Sequence, residues 1–139
     1  MKLALDSSVI IAALDGSDPA HTHSRRLMLS AKFSIYSHAL SETFSILTGG
    51  GLGVRLSAES AASLLREKIA PRLTAVTLTE KDLLDAYTDS KRRGIRGGAI
   101  YDYLHLVAAR KAGAAKLYTL NLSDFQAIHR PGDPEVAHP

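Results

Sequence analysis

The stretch LALDSSVII, residues 3–11, decides how the chain begins to fold. Leu, Ala and Leu on one side and Val, Ile and Ile on the other are interior residues, yet Asp6 stands between them. A buried carboxylate needs a partner, because stripping its water is costly. Residues 2–5 (KLAL) read as a short buried strand, and residues 7–14 (SSVIIAAL) as the start of a helix. Asp6 then falls at the carboxyl end of the strand. There it either caps the helix with its head in water or meets something cationic.

Outward from this unit, strands and helices alternate. The SDP at 17–19 signals a helix entry, with Asp18 as cap and Pro19 in the first turn, followed by a helix from Ala20 to Ala31. FSIYS (33–37) is strand-like, and HALSETFSIL (38–47) places Leu40, Phe44 and Leu47 at helical spacing. TGGGLG (48–53) stops that helix in a mobile loop. A helix over 56–69 is capped by Ser57 and stopped by Pro71, and TAVTL (74–78) is a strand. The next helix opens on Thr79 and Asp82, spaced as a capping box, and stops at Gly94. A long helix spans 99–113, KLYTL (116–120) is a strand, and SDFQAI makes a short helical turn. The tail from about residue 130 is either an edge strand or frayed. Short strands joined by helical crossovers imply an α/β fold with a mostly parallel sheet, in one domain over 1–139.

Composition narrows the class. At 139 residues, 45% of them hydrophobic, the chain can bury one good core. The absence of cysteine excludes disulfides and thiolate metal sites. No apolar run approaches the roughly 18 residues of a membrane span, and no signal-peptide pattern opens the chain. A cytoplasmic location is the expectation. The net charge of +3 favours polyanionic partners, and SKRRGIRGG (90–98) concentrates Lys91, Arg92, Arg93 and Arg96 as candidate phosphate contacts. Basic residues at a helix C-terminus also favour the macrodipole, whatever else they do.

Three acids sit where acids are uncommon. Asp102 lies off the stripe of Ile100, Tyr103, Leu104, Val107 and Ala108, but its own helical neighbours are Ala99, Leu106 and Ala109. Glu42 is flanked by Ala39 and Ile46 in the same way. If these two converge with Asp6, their repulsion calls for a cation, and oxygen ligands select a hard ion such as Mg²⁺ or Mn²⁺. Taken singly, Asp6 reads equally well as a helix cap, and Glu42 or Asp102 as part of a solvated helix face. His105, three residues beyond Asp102, reads as a surface or partly buried histidine within reach of the site.

The order of four motifs goes further. LDSSVII at the N-terminus, SETF on the second main helix, YDYLHLVAA on a late helix and LYTLNLSDF after it resemble the PIN-domain family. Within that family they resemble the VapC-type toxins of bacterial toxin–antitoxin pairs. The resemblance covers essentially the whole chain. It implies a three-layer α/β/α sandwich and a metal-dependent endoribonuclease that leaves 5′-phosphate and 3′-hydroxyl ends. By the same resemblance, Asp6, Glu42 and Asp102 are the catalytic, metal-holding acids, with Mg²⁺ as cofactor and Mn²⁺ as a substitute. Thr119 matches a supporting threonine.

Two positions depart from the pattern. Ser8 stands where many members have Asn, and Asn121 where many have a fourth acid, which bears on a second metal; Asp124 compensates through a water or, more simply, caps the terminal turn. The implied partners are an RNA substrate, a homodimer mate and an antitoxin whose C-terminal segment covers the acidic cleft. The departures keep a rival alive: a weakened PIN-like module that binds RNA or a partner without cutting. A phosphatase or phosphoacceptor using Asp6 is disfavoured, since dehalogenase-like phosphatases want a second Asp where Ser8 stands.

Overall fold

A computed structural model describes residues 1–53 and 55–139. Strands β1 (Leu3–Leu5), β2 (Phe33–Tyr36), β3 (Leu73–Val76), β4 (Lys116–Tyr118) and β5 (Glu135–Ala137) form one sheet. Its order is β3-β2-β1-β4-β5, with every neighbouring pair parallel. The α-helices among the described residues are α1 (Ser7–Leu14), α2 (His21–Ser30), α3 (His38–Gly49), α4 (Ala58–Leu64), α5 (Glu80–Arg93), α6 (Ala99–Lys111) and α7 (Leu122–Ile128).

Strand alternation sends successive side chains to opposite faces of the sheet. Ala4 joins Tyr103, Leu106, Ala108, Leu117 and Phe125 in one buried cluster, beneath α6. Leu5 joins Val9, Ile10, Phe33, Ile35 and Ala39 in another, beneath α1 and α3. The result is an α/β/α sandwich. Helix α6 is buried continuously from Tyr103 to Ala109, so it lies inside the protein rather than upon it.

Several local expectations need correction. Asp18 does not cap α2. Its carboxylate accepts from Ala20 N at 2.8 Å in the preceding turn, and the helix starts at His21 without a side-chain cap. Helix α3 buries Ala39, Thr43 and Leu47, while Leu40 and Phe44 are half-buried, so its inward face is turned by one residue. Thr43 tolerates this because its hydroxyl bonds the Ala39 carbonyl at 2.8 Å. The segment 56–69 is not one regular helix: α4 passes into a π turn at Leu65–Ile69 and a 3₁₀ turn at Ala70–Arg72. The tail forms an edge strand, β5.

The topology sets where a site can form. From β1 the chain winds outward through β2 and β3, then returns to the other side of β1 as β4. Connections leaving the carboxyl ends of β1 and β4 therefore diverge, which opens a crevice there.

Candidate active site

Asp6 enters this crevice directly from β1. Its Oδ1 accepts the backbone N–H of Ser8 at 3.1 Å and also the Ser8 hydroxyl. Its Oδ2 accepts the Thr119 hydroxyl at 2.6 Å, just past the end of β4. Ser8 Oγ in turn accepts Leu120 N at 3.0 Å, and Thr119 Oγ1 accepts Asn121 N at 3.0 Å. Asp6 is thus a genuine cap of α1, as a lone Asp after a strand would be. It is also 3% exposed and tied across the strand pair. Burial raises its pKa above the ordinary value, against the Ser8 and Thr119 hydrogen bonds and the nearby His105.

Glu42 on α3 and His105 on α6 meet across the layer: His105 Nε2 lies 2.8 Å from Glu42 Oε1. Burial pushes Glu42 upward, but the His105 hydrogen bond, the His105 and His38 imidazoles and the Ser7 hydroxyl leave its pKa below the ordinary value. Asp102 is half-buried, and no hydrogen bond reaches its carboxylate among the described residues. Its pKa is raised first by burial and then by the fields of Asp6, Asp124 and Glu42. Asp6, Asp124 and Glu42 are thus near enough for their charges to bear on Asp102. Among the described residues no Lys or Arg forms an ion pair with any of them.

As the side chains stand, no three His, Asp or Glu groups among the described residues enclose a metal position. Asp6 and Glu42 are each held by hydrogen bonds, whereas Asp102 has none among the described residues. A groove of about 470 Å³ between α1 and α3 is lined by Glu42 with Ser7, Ile11, His38, Ser41, Ser45 and Ile46.

The remaining candidates separate. Asn121 precedes α7 and makes no side-chain cap bond. Asp124, in the first turn of α7, does not cap it either; its charge is felt at Asp102. Lys91, Arg92 and Arg96 are exposed at the end of α5 and in the following loop, with Arg92 paired to Asp89 at 2.9 Å.

Arg93 corrects the expectation of a phosphate contact. Its side chain is 3% exposed and is held by Asp89, Asp133, the Ile128 carbonyl and the Tyr103 ring. The functional neighbour that sequence reasoning undervalued is His105, whose ring is buried on Glu42 rather than lying at the surface. Its signal was the three-residue spacing from Asp102, which puts both on one side of α6.

A parallel sheet with its switch point at β1 and β4, and acids carried on the β1–α1 junction, α3 and α6, is the arrangement of an α/β domain of the PIN class. The PIN domain model matches residues 3–130, and the chain belongs to that family. It stands among the VapC-type members: it is 35% identical over 107 residues to Ribonuclease VapC27 of Mycobacterium tuberculosis, spanning 77% of this chain and 76% of that one. Among solved structures, VapC20 of M. tuberculosis, described as a sarcin–ricin loop cleaving toxin, matches with a TM-score of 0.71 at 20% identity, covering 96% of this chain and 100% of that one. VapBC2 of Rickettsia felis, bound to a fragment of its promoter DNA, matches with a TM-score of 0.64 at 20% identity, covering 99% and 98%. These two show the shared fold.

Proposed function

We propose that the chain is a divalent-metal-dependent endoribonuclease and the toxin of a toxin–antitoxin pair. The observation that carries this reading is Asp102: half-buried, without a hydrogen bond, and facing the fields of three other acids. Such a site gains free energy by taking up a cation. The donors are carboxylate and hydroxyl oxygens, the set preferred by Mg²⁺ and Mn²⁺, and Asp6, Glu42 and Asp102 are the residues that would hold the ion. When bound, such an ion acidifies water and neutralises charge developing on the phosphoryl oxygens.

The protein supplies the placement. Ser8 and Thr119 fix Asp6 through three hydrogen bonds, leaving it no freedom to turn away. Exposed Lys91 and Arg96 are available to phosphates away from the acids, while Arg92 is engaged by Asp89. The groove beside Glu42 has room for a nucleotide flanking the scissile bond. Water attacks phosphorus in line, the bond from phosphorus to the 3′ oxygen breaks, and that oxygen leaves with a proton. Asn121 removes one charge from the family pattern, which favours a single strongly held ion.

The kinship with Ribonuclease VapC27 supports RNA as substrate. The fold shared with VapBC2 supports an antitoxin partner, and a cationic antitoxin side chain entering the acidic cleft is the expected mode of inhibition. Exposed Leu84, Tyr87 and Tyr101 on α5 and α6 offer apolar surface for a homodimer contact. Among the described residues no helix is long and apolar enough to cross a membrane.

The test is incubation of the chain with structured RNA and Mg²⁺ or Mn²⁺, beside Asp6→Asn and an EDTA control. Cleavage is expected only in the wild type with metal. Equal cleavage by Asp6→Asn would point to a contaminant and remove the assignment. RNA binding without cleavage would favour the weakened-module reading.

A further inference from the structure

His105 is 4% exposed and lies one turn beyond Asp102 on α6. Its Nε2 is 2.8 Å from Glu42 Oε1, and its Nδ1 is buried without a hydrogen-bond partner. A carboxylate oxygen accepts, so the hydrogen belongs on Nε2 and the bare lone pair on Nδ1. This is the tautomer that leaves no buried N–H unsatisfied.

The ring also packs edge-on against Tyr36, with centroids 5.5 Å apart. A phenylalanine could make that contact without burying an orphan nitrogen, whose desolvation costs free energy. What the imidazole adds to this fold is the Nε2–H directed at Glu42. The bond ties α3, which carries one acid, to α6, which carries another. It also immobilises a side chain that would otherwise turn about three torsions at the edge of a groove.

We propose that His105 is a positioning residue, holding Glu42 fixed as Ser8 and Thr119 hold Asp6, so that the unrestrained Asp102 carboxylate can close on a divalent cation shared with both. The proposal rests on the metal-nuclease reading above. Groups that orient carboxylate ligands are commonly worth about 10–100-fold in metal affinity. Since His105 acts through Glu42, its effect should show in ion binding before any substrate is added.

The experiment is titration of the full chain with Mn²⁺, following the free ion by electron paramagnetic resonance, with melting curves to establish that each variant is folded. His105→Phe keeps a ring against Tyr36 and removes the donor. His105→Gln loses the ring and keeps an N–H at similar reach. His105→Phe is expected to bind Mn²⁺ about tenfold more weakly, with His105→Gln close to wild type and Asp6→Asn binding little.

Wild-type affinity in folded His105→Phe overturns the positioning role and leaves the nuclease reading standing. Weak binding by folded His105→Gln overturns it too, since the donor is then not the active feature. No Mn²⁺ binding by the wild type overturns the metal reading and this proposal together. Each variant can therefore overturn the proposal alone, His105→Phe by binding like the wild type and His105→Gln by binding weakly.

Discussion

On α6, Asp102 carries a carboxylate that no hydrogen bond compensates, and burial plus the fields of Asp6, Asp124 and Glu42 disfavour its charge. Without a cation, that charge opposes folding at neutral pH. Asp102→Asn is therefore expected to raise the melting temperature in EDTA by about 2–4 °C, roughly 1 kcal/mol for a domain of this size, while cleavage is lost. Mg²⁺ should stabilise the wild type and leave the variant nearly unmoved, as a ligand of the native state does. A variant that melts lower in EDTA would contradict the uncompensated charge. At this scale the sequence was half legible. Asp6 stood out because a carboxylate in an aliphatic run needs a reason. The pairing of Glu42 with His105 spans 63 positions, and helical spacing on one helix says nothing of what faces it from another.

At the scale of elements, the ends that carry local chemistry were readable. Thr79 and Asp82 form the reciprocal capping box that opens α5, and Gly94, at φ +68°, closes it. The π turn after α4 was not readable, because it shifts backbone hydrogen bonds while leaving the apolar spacing intact. Arg93 escaped for a related reason: it sits in a basic run, but its position on α5 turns it inward. There it joins Asp89 and Asp133, and Arg110 also reaches Asp133 at 3.0 Å.

Arg93→Ala leaves Asp133 buried with one partner fewer and is expected to cost about 3–5 kcal/mol, measured by urea unfolding. Little loss of stability would make Arg93 a candidate phosphate contact again. Acid should act through the same elements. The Arg92, Arg93 and Tyr103 hydrogen bonds hold Asp89 well below the ordinary carboxylate range, and Asp82, bonded to Lys111 and to Thr79, is lowered to about 2. Groups depressed in the folded state stabilise it above the unfolded pKa and lose that contribution as pH falls through the folded one. Stability should therefore fall between about pH 4 and pH 2, and Asp89→Asn should flatten that slope in a pH series of urea melts. An unchanged slope would mean that other acids control the transition.

For the whole molecule, the site depends on a strand that the family match does not reach. The PIN model ends at residue 130, whereas β5 begins at Glu135 and pairs with β4 in parallel. Thr119, the donor to Asp6, gives its own backbone N–H to the Ala137 carbonyl at 2.9 Å. Glu135 N bonds the Ala115 carbonyl at 3.0 Å, at the opposite end of β4. The loop before β5 supplies Asp133, which neutralises Arg93 and Arg110 and accepts Arg130 N at 2.9 Å. Removing residues 131–139 would thus take away one of the two neighbours of β4, an anion buried against two arginines, and the backbone acceptor that holds Thr119 in place. The truncated chain is expected to lose more than the roughly 3–5 kcal/mol of the Arg93 pair alone, and to show no rise in melting temperature with Mn²⁺. A soluble truncated chain that melts like the wild type and still responds to Mn²⁺ would show that β4 and Thr119 hold their geometry unaided. Partial stability with a lost Mn²⁺ response would instead assign to β5 the alignment of Thr119 on Asp6.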